Sequence, residues 1–307
     1  MGVEVGVGSD PTGTRFVAAD SADTTVAKPD DNPDLLPSLG EAPVGTTTSR
    51  PLSPAVEVKP VSALQGAHYD RIIELYEAHA ADPWTQAYRR RFIDRPLLRG
   101  IELEGRAVLE AMCGSGHSTG FLLERGAHVT GLDVSEQAIE MFRTKWPACT
   151  AVAESILSPT LPDASFDVVL VVGGLHHVHP HADEAVAQVT RLLKPRGFLC
   201  FCEPHTGSLV DAVRRTWYLR DPMFETNEAA VNISALRSAT AGRFDVISER
   251  YFGNVAHTLV LNSMVLRAPR WLKRLYSSPA MEIEALLNPI LGRRLSCSVV
   301  CQWRKRA

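Results

Sequence analysis

The chain has 307 residues, of which 45% are hydrophobic and 22% are charged, and its formal net charge is −3. This composition is typical of a soluble globular protein, with length for one large domain or two small ones and for a sizeable core. There is no run of about 18 apolar residues, and the N-terminus lacks the basic start and apolar region of a secretory signal, so neither a spanning helix nor export is predicted. Six scattered cysteines without a CxxC pair favour reduced thiols over a metal site, and we expect a cytoplasmic protein.

Two ends of the chain differ from the remainder in composition. Residues 1–60 hold eight of the twenty prolines and one aromatic side chain, Phe16, so we predict a disordered tail followed by one domain over 61–307. Residues 270–307 hold eight bases and two acids. Such a basic end is either a solvated face or a contact for an anionic surface.

Helical spacing begins near Leu64, and Pro83 and Pro96 divide this part into two or three short helices. From Gly105 onward, short apolar runs alternate with helical ones. Strands are predicted at 106–113, 128–134, 150–155, 166–173, 197–204, 244–252 and 295–303, and helices at 118–125, 136–146 and 183–193. This alternation predicts a mostly parallel α/β sheet with right-handed crossovers. We expect the last strand to be an antiparallel edge or hairpin strand, and 254–293 to be a helical insertion.

The segment Val108–Asp133 carries the most specific pattern. A predicted strand ends at Cys113, Gly114–Ser115–Gly116 makes a turn, and a helix begins just after it. Glycines let the backbone approach a ligand, and the helix start offers free N–H groups. Asp133 follows Gly116 by 17 residues, at the end of the next strand, where a carboxylate can bind both hydroxyls of a ribose. The pattern predicts an adenosine-type site.

A dinucleotide-binding reductase would share the strand, the turn and the acid. Its fingerprint needs a third glycine three residues after the second, and that position is Thr119, with Gly120 one residue late. Glu110 also stands where the reductase pattern stays apolar. These differences favour S-adenosylmethionine (SAM) over NAD.

The segment 105–204 resembles the class I SAM-dependent methyltransferases, and within them the ubiquinone/menaquinone-biosynthesis-like, methyltransferase type 11 group. Four stretches carry the resemblance: VLEAMCGSG, GLDVSEQAIEMFR, LPDASFDVVLVVGGLHHV and RLLKPRGFLCFCEP, the last with Arg196 in place of a family glycine. The resemblance implies a Rossmann-like fold with a seven-stranded, mostly parallel sheet and helices on both faces. The segments at about 64–100, 205–240 and 254–293 lie outside this strong resemblance, and we predict that they form helical caps that select the acceptor.

The same resemblance implies a set of cofactor-binding residues. The methionine end of SAM would be lined by Glu110, Cys113, Gly114 and Gly116. Asp133 would bind the ribose hydroxyls, and Val134 would lie beside the adenine. The third family motif is altered to VAESILSPTLP, so the adenine contact is carried to Glu154 and Ser155. The full set is Tyr69, Glu110, Cys113, Gly114, Ser115, Gly116, Asp133, Val134, Glu154, Ser155 and Val172. Tyr69 is included, with Tyr88 as an alternative, because an aromatic before the core would shield the sulfonium.

Three residues are candidates for acid–base work at the acceptor: His176, His177 and Glu203. The histidines follow the strand that faces the transferred methyl in this family, and imidazole titrates near neutral pH. Packing at a helix start is the alternative for the histidines, and a structural role at the strand end is the alternative for Glu203. The run HHVHPH at 176–181 also suggests a metal site. Pro180 should make the four imidazoles point in different directions, so no metal is predicted.

The predicted function is methyl transfer from SAM to an oxygen, nitrogen or carbon of a small molecule, lipid or glycan. An NAD(P)-dependent reductase and a catalytically silent SAM-binding scaffold are the alternatives. No nucleic-acid partner is expected, because the fourth predicted strand ends in VGGL (172–175) without a base-amine methyltransferase tetrapeptide. The basic, Trp- and Leu-containing segment 265–294 favours peripheral membrane contact and a lipid-linked acceptor.

Overall fold

A computed structural model describes residues 76–218, 229–263 and 270–307. The predicted tail over 1–60 and Tyr69 lie outside the described residues. The seven described strands are β1 (Ala107–Ala111), β2 (His128–Asp133), β3 (Thr150–Ala153), β4 (Phe166–Val172), β5 (Leu193–Pro204), β6 (Phe244–Phe252) and β7 (Ser298–Lys305). Each predicted strand is therefore present, and β6 has the predicted bounds.

The strands form one sheet in the order β3-β2-β1-β4-β5-β7-β6. The first five strands are parallel, whereas β7 runs antiparallel to both of its neighbours, β5 and β6. The prediction that the last strand is antiparallel is confirmed. Its placement at the edge is wrong, since β7 lies inside the sheet and β6 forms the edge, whereas the hairpin alternative fits its antiparallel pairing with β6, the preceding strand. Six of the eight residues of β7 are buried, as an interior strand requires.

Helices cover the sheet and form a further layer. The longer ones are α1 (Pro83–Arg89), α2 (Thr119–Leu123), α3 (Glu136–Lys145), α4 (Ala182–Leu192), α5 (Leu209–Tyr218), α6 (Ile233–Ala239) and α7 (Lys273–Leu295). Shorter turns are Arg90–Asp94, Arg95–Leu97, Leu175–Val178, His257–Leu261 and Arg270–Leu272. Residues 76–80 are also helical. The described helices are not long and apolar enough to cross a membrane.

The core has two parts because β4 is buried on both faces. Val168 and Leu170 contribute to one apolar cluster, and Val169 and Val171 to the other. Successive side chains of a strand point to opposite faces, so one continuous apolar run supplies both clusters. This central strand supports the loops at the carboxyl ends of its neighbours.

Local capping explains where α1 and α3 begin. The Ser135 hydroxyl accepts a hydrogen bond from Ala138 N (3.0 Å), as the sequence predicts, and Asp82 caps α1 through Thr85 N (3.1 Å). Pro83 occupies the first turn of α1, where its missing N–H leaves no intrahelical bond unmade.

The insertion between β6 and β7 packs against α1 through polar contacts. Lys273 Nζ donates to Asp82 Oδ2 (2.7 Å), and Tyr88 Oη donates to Glu284 Oε1 (2.5 Å). Lys273, Tyr88 and Glu284 are fully buried. Tyr88 thus belongs to the contact between α1 and α7, which favours core packing over a cofactor role.

Candidate active site

The glycine turn after β1 requires unusual backbone angles. Met112, Gly114 and Gly116 have positive φ values of 55°, 55° and 85°. A Cβ on Gly116 would lie 2.5 Å from both Thr119 Oγ1 and Trp146 Nε1. Trp146 Nε1 donates to Ser115 O (3.0 Å), so the indole packs against the turn and is hydrogen-bonded to its backbone. The turn is therefore close-packed on its inner side and needs glycine at Gly116.

Asp133 lies at the carboxyl end of β2, beside this turn. Its Oδ2 accepts a hydrogen bond from Gly114 N (2.8 Å), and its Oδ1 accepts one from Ser135 N (3.0 Å). Burial raises the pKa of this carboxyl, against the opposing effect of these backbone N–H groups. The predicted pairing of Asp133 with the glycine turn is present, and Val134 follows it, partly buried.

Glu110 is buried under the first turn of α2. Its carboxylate accepts from Ser118 N (2.9 Å) and Thr119 Oγ1 (2.5 Å). Burial raises its pKa to about 7. Cys113, also buried, donates its thiol to Gly114 O (3.3 Å). Glu110 and Cys113 are therefore both buried beside the glycine turn.

A helical segment before α1 covers the outer side of the turn. Ser115 Oγ donates to Glu77 Oε2 (2.5 Å), and His117 Nε2 lies 3.2 Å from Glu77 Oε1. The rings of Tyr76 and His117 meet edge to face with centroids 5.4 Å apart. Burial lowers the pKa of His117, while His117 and Ser115 lower that of Glu77 against the effect of its own burial. We call Tyr76, Glu77, Ser115 and His117 the clasp.

Sequence reasoning missed the clasp apart from Ser115. His117 directly follows the glycine turn, which was a usable signal. Nothing local marks Tyr76 or Glu77, because their partners lie some forty residues later in the chain.

A second missed group joins α1 to the start of α2. Arg89 Nη2 donates to Ser118 Oγ (3.2 Å), and Ser118 Oγ donates to Asp94 Oδ1 (3.0 Å). Arg89 Nε is buried and has no hydrogen-bond partner among the described residues. A buried guanidinium with an unused donor suits a ligand carboxylate.

The loop after β4 is fixed by Glu203 at the end of β5. Glu203 Oε1 accepts from Gly174 N and Leu175 N, each at 2.8 Å, and His176 Nδ1 lies 2.8 Å from Glu203 Oε2. Glu203 is fully buried, whereas His176 and His177 are partly exposed with ring centroids 4.0 Å apart. The carboxylate therefore orients the loop, and the imidazoles reach its surface.

Other predicted residues have local partners. Glu154 accepts from Thr160 N (2.7 Å) and Thr160 Oγ1 (2.6 Å), and these hydrogen bonds lower its pKa. Ser155 Oγ accepts from Leu157 N (3.2 Å), so both residues shape the loop after β3. Val172 ends β4, partly buried. Glu154 and Ser155 follow β3, and Val172 is the last residue of β4. The carboxyl ends of both strands lie at the same edge of the sheet as the glycine turn and Asp133.

One family profile, described as "Methyltransferase domain", matches residues 108–197. The match begins in β1, includes the glycine turn and Asp133, and ends at Gly197 in β5. Residues 108–197 therefore form a methyltransferase domain. The seven-stranded sheet confirms the predicted Rossmann-like fold.

Curated relatives share this methyltransferase domain over part of their length. A phthiotriol/phenolphthiotriol dimycocerosates methyltransferase 1 of Mycobacterium ulcerans is 35% identical over 107 residues, 34% of this chain and 39% of the relative. A ubiquinone biosynthesis O-methyltransferase of Idiomarina loihiensis is 31% identical over 166 residues, 50% of this chain and 65% of the relative. The chain thus spans about two-fifths of the first relative and less than two-thirds of the second.

Solved structures resemble this chain in fold alone. A SAM-dependent methyltransferase from Archaeoglobus fulgidus has a TM-score of 0.51 at 18% identity, covering 76% of this chain and 99% of its own. The [4+2]-cyclase SpnF has a TM-score of 0.54 at 16% identity, covering 81% and 98%. One of these two proteins is named as a methyltransferase and the other as a cyclase. Likeness of fold therefore does not identify the reaction, and the acceptor has to be argued from the site.

Proposed function

We propose that this protein transfers the methyl group of SAM to an oxygen, nitrogen or carbon of a small-molecule or lipid acceptor. The observation that carries the proposal is the hydrogen bond between Asp133 and Gly114 N within the matched domain. It sets a carboxylate beside a glycine turn in which a Cβ at Gly116 would not fit. The reductase alternative would need a third glycine at position 119, which is a threonine, and the matched profile is that of a methyltransferase domain.

The residues present fit the cofactor. Asp133 has acceptor capacity left for ribose hydroxyls after its two backbone contacts. Arg89 offers its buried, unused Nε to the carboxylate of the amino-acid end, and Glu77 is the carboxylate available to the ammonium. A cofactor contact by Glu110 stays a prediction. SAM supplies a methyl group already activated on a sulfonium. Adenine contacts by Val134, Glu154 and Ser155, and contacts by Tyr69, Cys113, Ser115 and Val172, remain predictions.

The protein's own work is to align the acceptor, exclude water and, for a hydroxyl acceptor, accept a proton. We propose His176 or His177 for the proton, since both imidazoles reach the surface of the loop after β4. Glu203 acts as a positioning residue in this proposal, because its carboxylate is buried on Gly174 N and Leu175 N. Methyl-transfer rates of His176→Gln and His177→Gln across pH 6–9 test the assignment, and unchanged profiles in both variants would refute it.

Three further statements belong to the proposal. The segments 64–100, 205–240 and 254–293 act as the cap that selects the acceptor. The protein is cytoplasmic, which its six free cysteines favour, and no nucleic acid is a partner. The segment 265–294, described here from Arg270 onward, contacts a membrane peripherally.

Isothermal titration with S-adenosylhomocysteine tests the proposed function. We expect micromolar binding by the wild type and a loss of about ten-fold or more in Asp133→Ala, since a buried hydrogen-bonding charge is removed. Asp163→Asn is the matched control, because Asp163 pairs with Arg191 on the surface, beside the chain entering β4. Absence of binding by the wild type, or equal binding by Asp133→Ala, would contradict the proposal. Methyl transfer to a panel of acceptors then separates an enzyme from a silent scaffold.

A further inference from the structure

Helix α7 has an inverted distribution of polarity. Its inward face carries Lys273, Ser277 and Glu284, all fully buried, and Lys273 and Glu284 are bonded to Asp82 and Tyr88. Its outward face, with the turn that precedes it, carries large apolar side chains that are 46–75% exposed: Trp271, Leu275, Ile283, Leu286 and Ile290. These five residues, spaced three, four or eight apart, form one stripe, which we call the outer face of α7.

The outer face extends toward the carboxyl edge of the sheet. Leu209 and Val213 of α5 are 66% and 65% exposed, and α5 contacts α7. Arg293 Nη2 donates to Thr206 O (3.4 Å), two residues beyond the end of β5. The strands that carry the glycine turn, Asp133 and the His176 loop end at the same edge. The apolar surface therefore borders the side of the domain where an acceptor has to enter.

Within the described segment 270–307, the exposed charges beside the outer face that have no ion-pair partner among the described residues are positive. Arg274, Arg293 and Arg294 are exposed, whereas the acids of 270–307 are Glu282 and Glu284. Glu282 is neutralised by two hydrogen bonds from Arg91 (2.5 and 3.0 Å), and Glu284 is buried. An apolar stripe flanked by unneutralised arginines and carrying a tryptophan at one end suits an anionic lipid interface, which offers acyl chains and negative headgroups together.

We propose that the outer face of α7 docks on an anionic phospholipid surface and that docking presents the acceptor side of the domain to a lipid-borne acceptor. The second half of this statement rests on the proposed function, whereas the docking itself does not. Lys273 takes no part, since it is buried in its ion pair with Asp82.

The test is co-sedimentation of the full chain with vesicles of phosphatidylcholine alone or mixed with phosphatidylglycerol. We expect binding to the mixed vesicles that weakens as salt is raised, and about ten-fold weaker binding by Leu286→Glu/Ile290→Glu. Arg274→Gln/Arg294→Gln should abolish the preference for phosphatidylglycerol. Ile247→Glu is the matched control, because Ile247 is 52% exposed on the edge strand β6, outside the outer face. This control should bind as the wild type does.

Three results would overturn the inference. The first is failure of the wild type to bind vesicles of either composition, and the second is equal binding by the Leu286→Glu/Ile290→Glu variant. The third is a wild-type dimer in sedimentation velocity that this variant converts to a monomer, which makes the outer face a subunit interface. S-adenosylhomocysteine titration of the same preparations separates the hypotheses: vesicle binding without cofactor binding removes the proposed function and leaves the docking surface.

Discussion

At the scale of single residues, the glycine turn depends on space as well as on backbone angle. Gly116 and Gly242 have nearly equal positive φ values, 85° and 82°. A Cβ at Gly116 would meet Trp146 and Thr119, whereas a Cβ at Gly242 would meet nothing within 4 Å. The two glycines therefore separate strain of the backbone from collision of the side chain.

We expect Gly116→Ala to lose about 2–4 kcal/mol of unfolding free energy, and most of its S-adenosylhomocysteine affinity, because collision adds to strain. Gly242→Ala should lose about 1 kcal/mol and keep its affinity. Urea denaturation and calorimetric titration measure the two effects. Equal losses in both variants would mean that packing against Trp146 is unimportant.

Arg196 occupies the position of a family glycine and keeps the backbone that glycine would prefer, with φ of 66°. We expect Arg196→Gly to raise the unfolding free energy by about 0.5–1 kcal/mol. Left-handed backbone costs a residue other than glycine about 1–2 kcal/mol in the folded state, but glycine also increases the conformational entropy of the unfolded chain, which cancels part of the gain. Arg196→Ala keeps the Cβ and should bring no gain. If alanine stabilises as much as glycine, the arginine side chain rather than the backbone is responsible.

At the scale of elements, α1 and α7 are joined by buried charge as well as by apolar packing. Lys273 is fully buried on Asp82, and its sequence neighbour Arg274 is exposed. Position in the basic segment therefore says little about exposure, and two adjacent cations have different roles.

We expect Lys273→Met to lose about 3–5 kcal/mol of unfolding free energy, because it leaves the Asp82 carboxylate buried without its cation. Arg274→Met should change stability by less than about 0.5 kcal/mol. Adding Asp82→Asn to Lys273→Met should recover part of the loss. Denaturation midpoints measure all four proteins, and a small loss in Lys273→Met would show that Asp82 finds another partner.

At the scale of the whole molecule, Glu110 links stability to pH. Its pKa is about 7 in the folded protein, against 4.5 as the ordinary value. The folded state therefore holds a proton that the unfolded state releases, and stability falls as pH rises from about 4.5 to 7. Burial raises the pKa of Asp94 and Glu284 in the same direction.

Glu110→Gln removes this contribution and keeps the shape of the side chain. Relative to the variant, the wild type should lose about 3 kcal/mol of unfolding free energy between pH 4.5 and pH 8. Chemical denaturation at both pH values measures the difference. A constant difference between the two proteins would mean that Glu110 titrates at its ordinary pKa.

The sequence predicted those parts of the fold that local patterns encode. The continuous apolar run of β4, the Ser135 cap of α3 and the glycine turn with Asp133 all follow from neighbours a few residues apart. The contacts of Glu77 with Ser115 and of Asp82 with Lys273 join residues 38 and 191 positions apart. Periodicity carries no information about such pairs, and the clasp and the burial of Lys273 were missed for that reason.

The interior position of β7 constrains the order in which the sheet can be assembled. In the described sheet β6 pairs with β7 alone, and β7 in turn bridges it to β5. During synthesis β6 leaves the ribosome more than forty residues ahead of β7. Until β7 is available, the backbone N–H and C=O groups of β6 have no neighbouring strand with which to form hydrogen bonds. The five parallel strands can therefore pair before β7 is synthesised, whereas β6 can join the sheet only after β7.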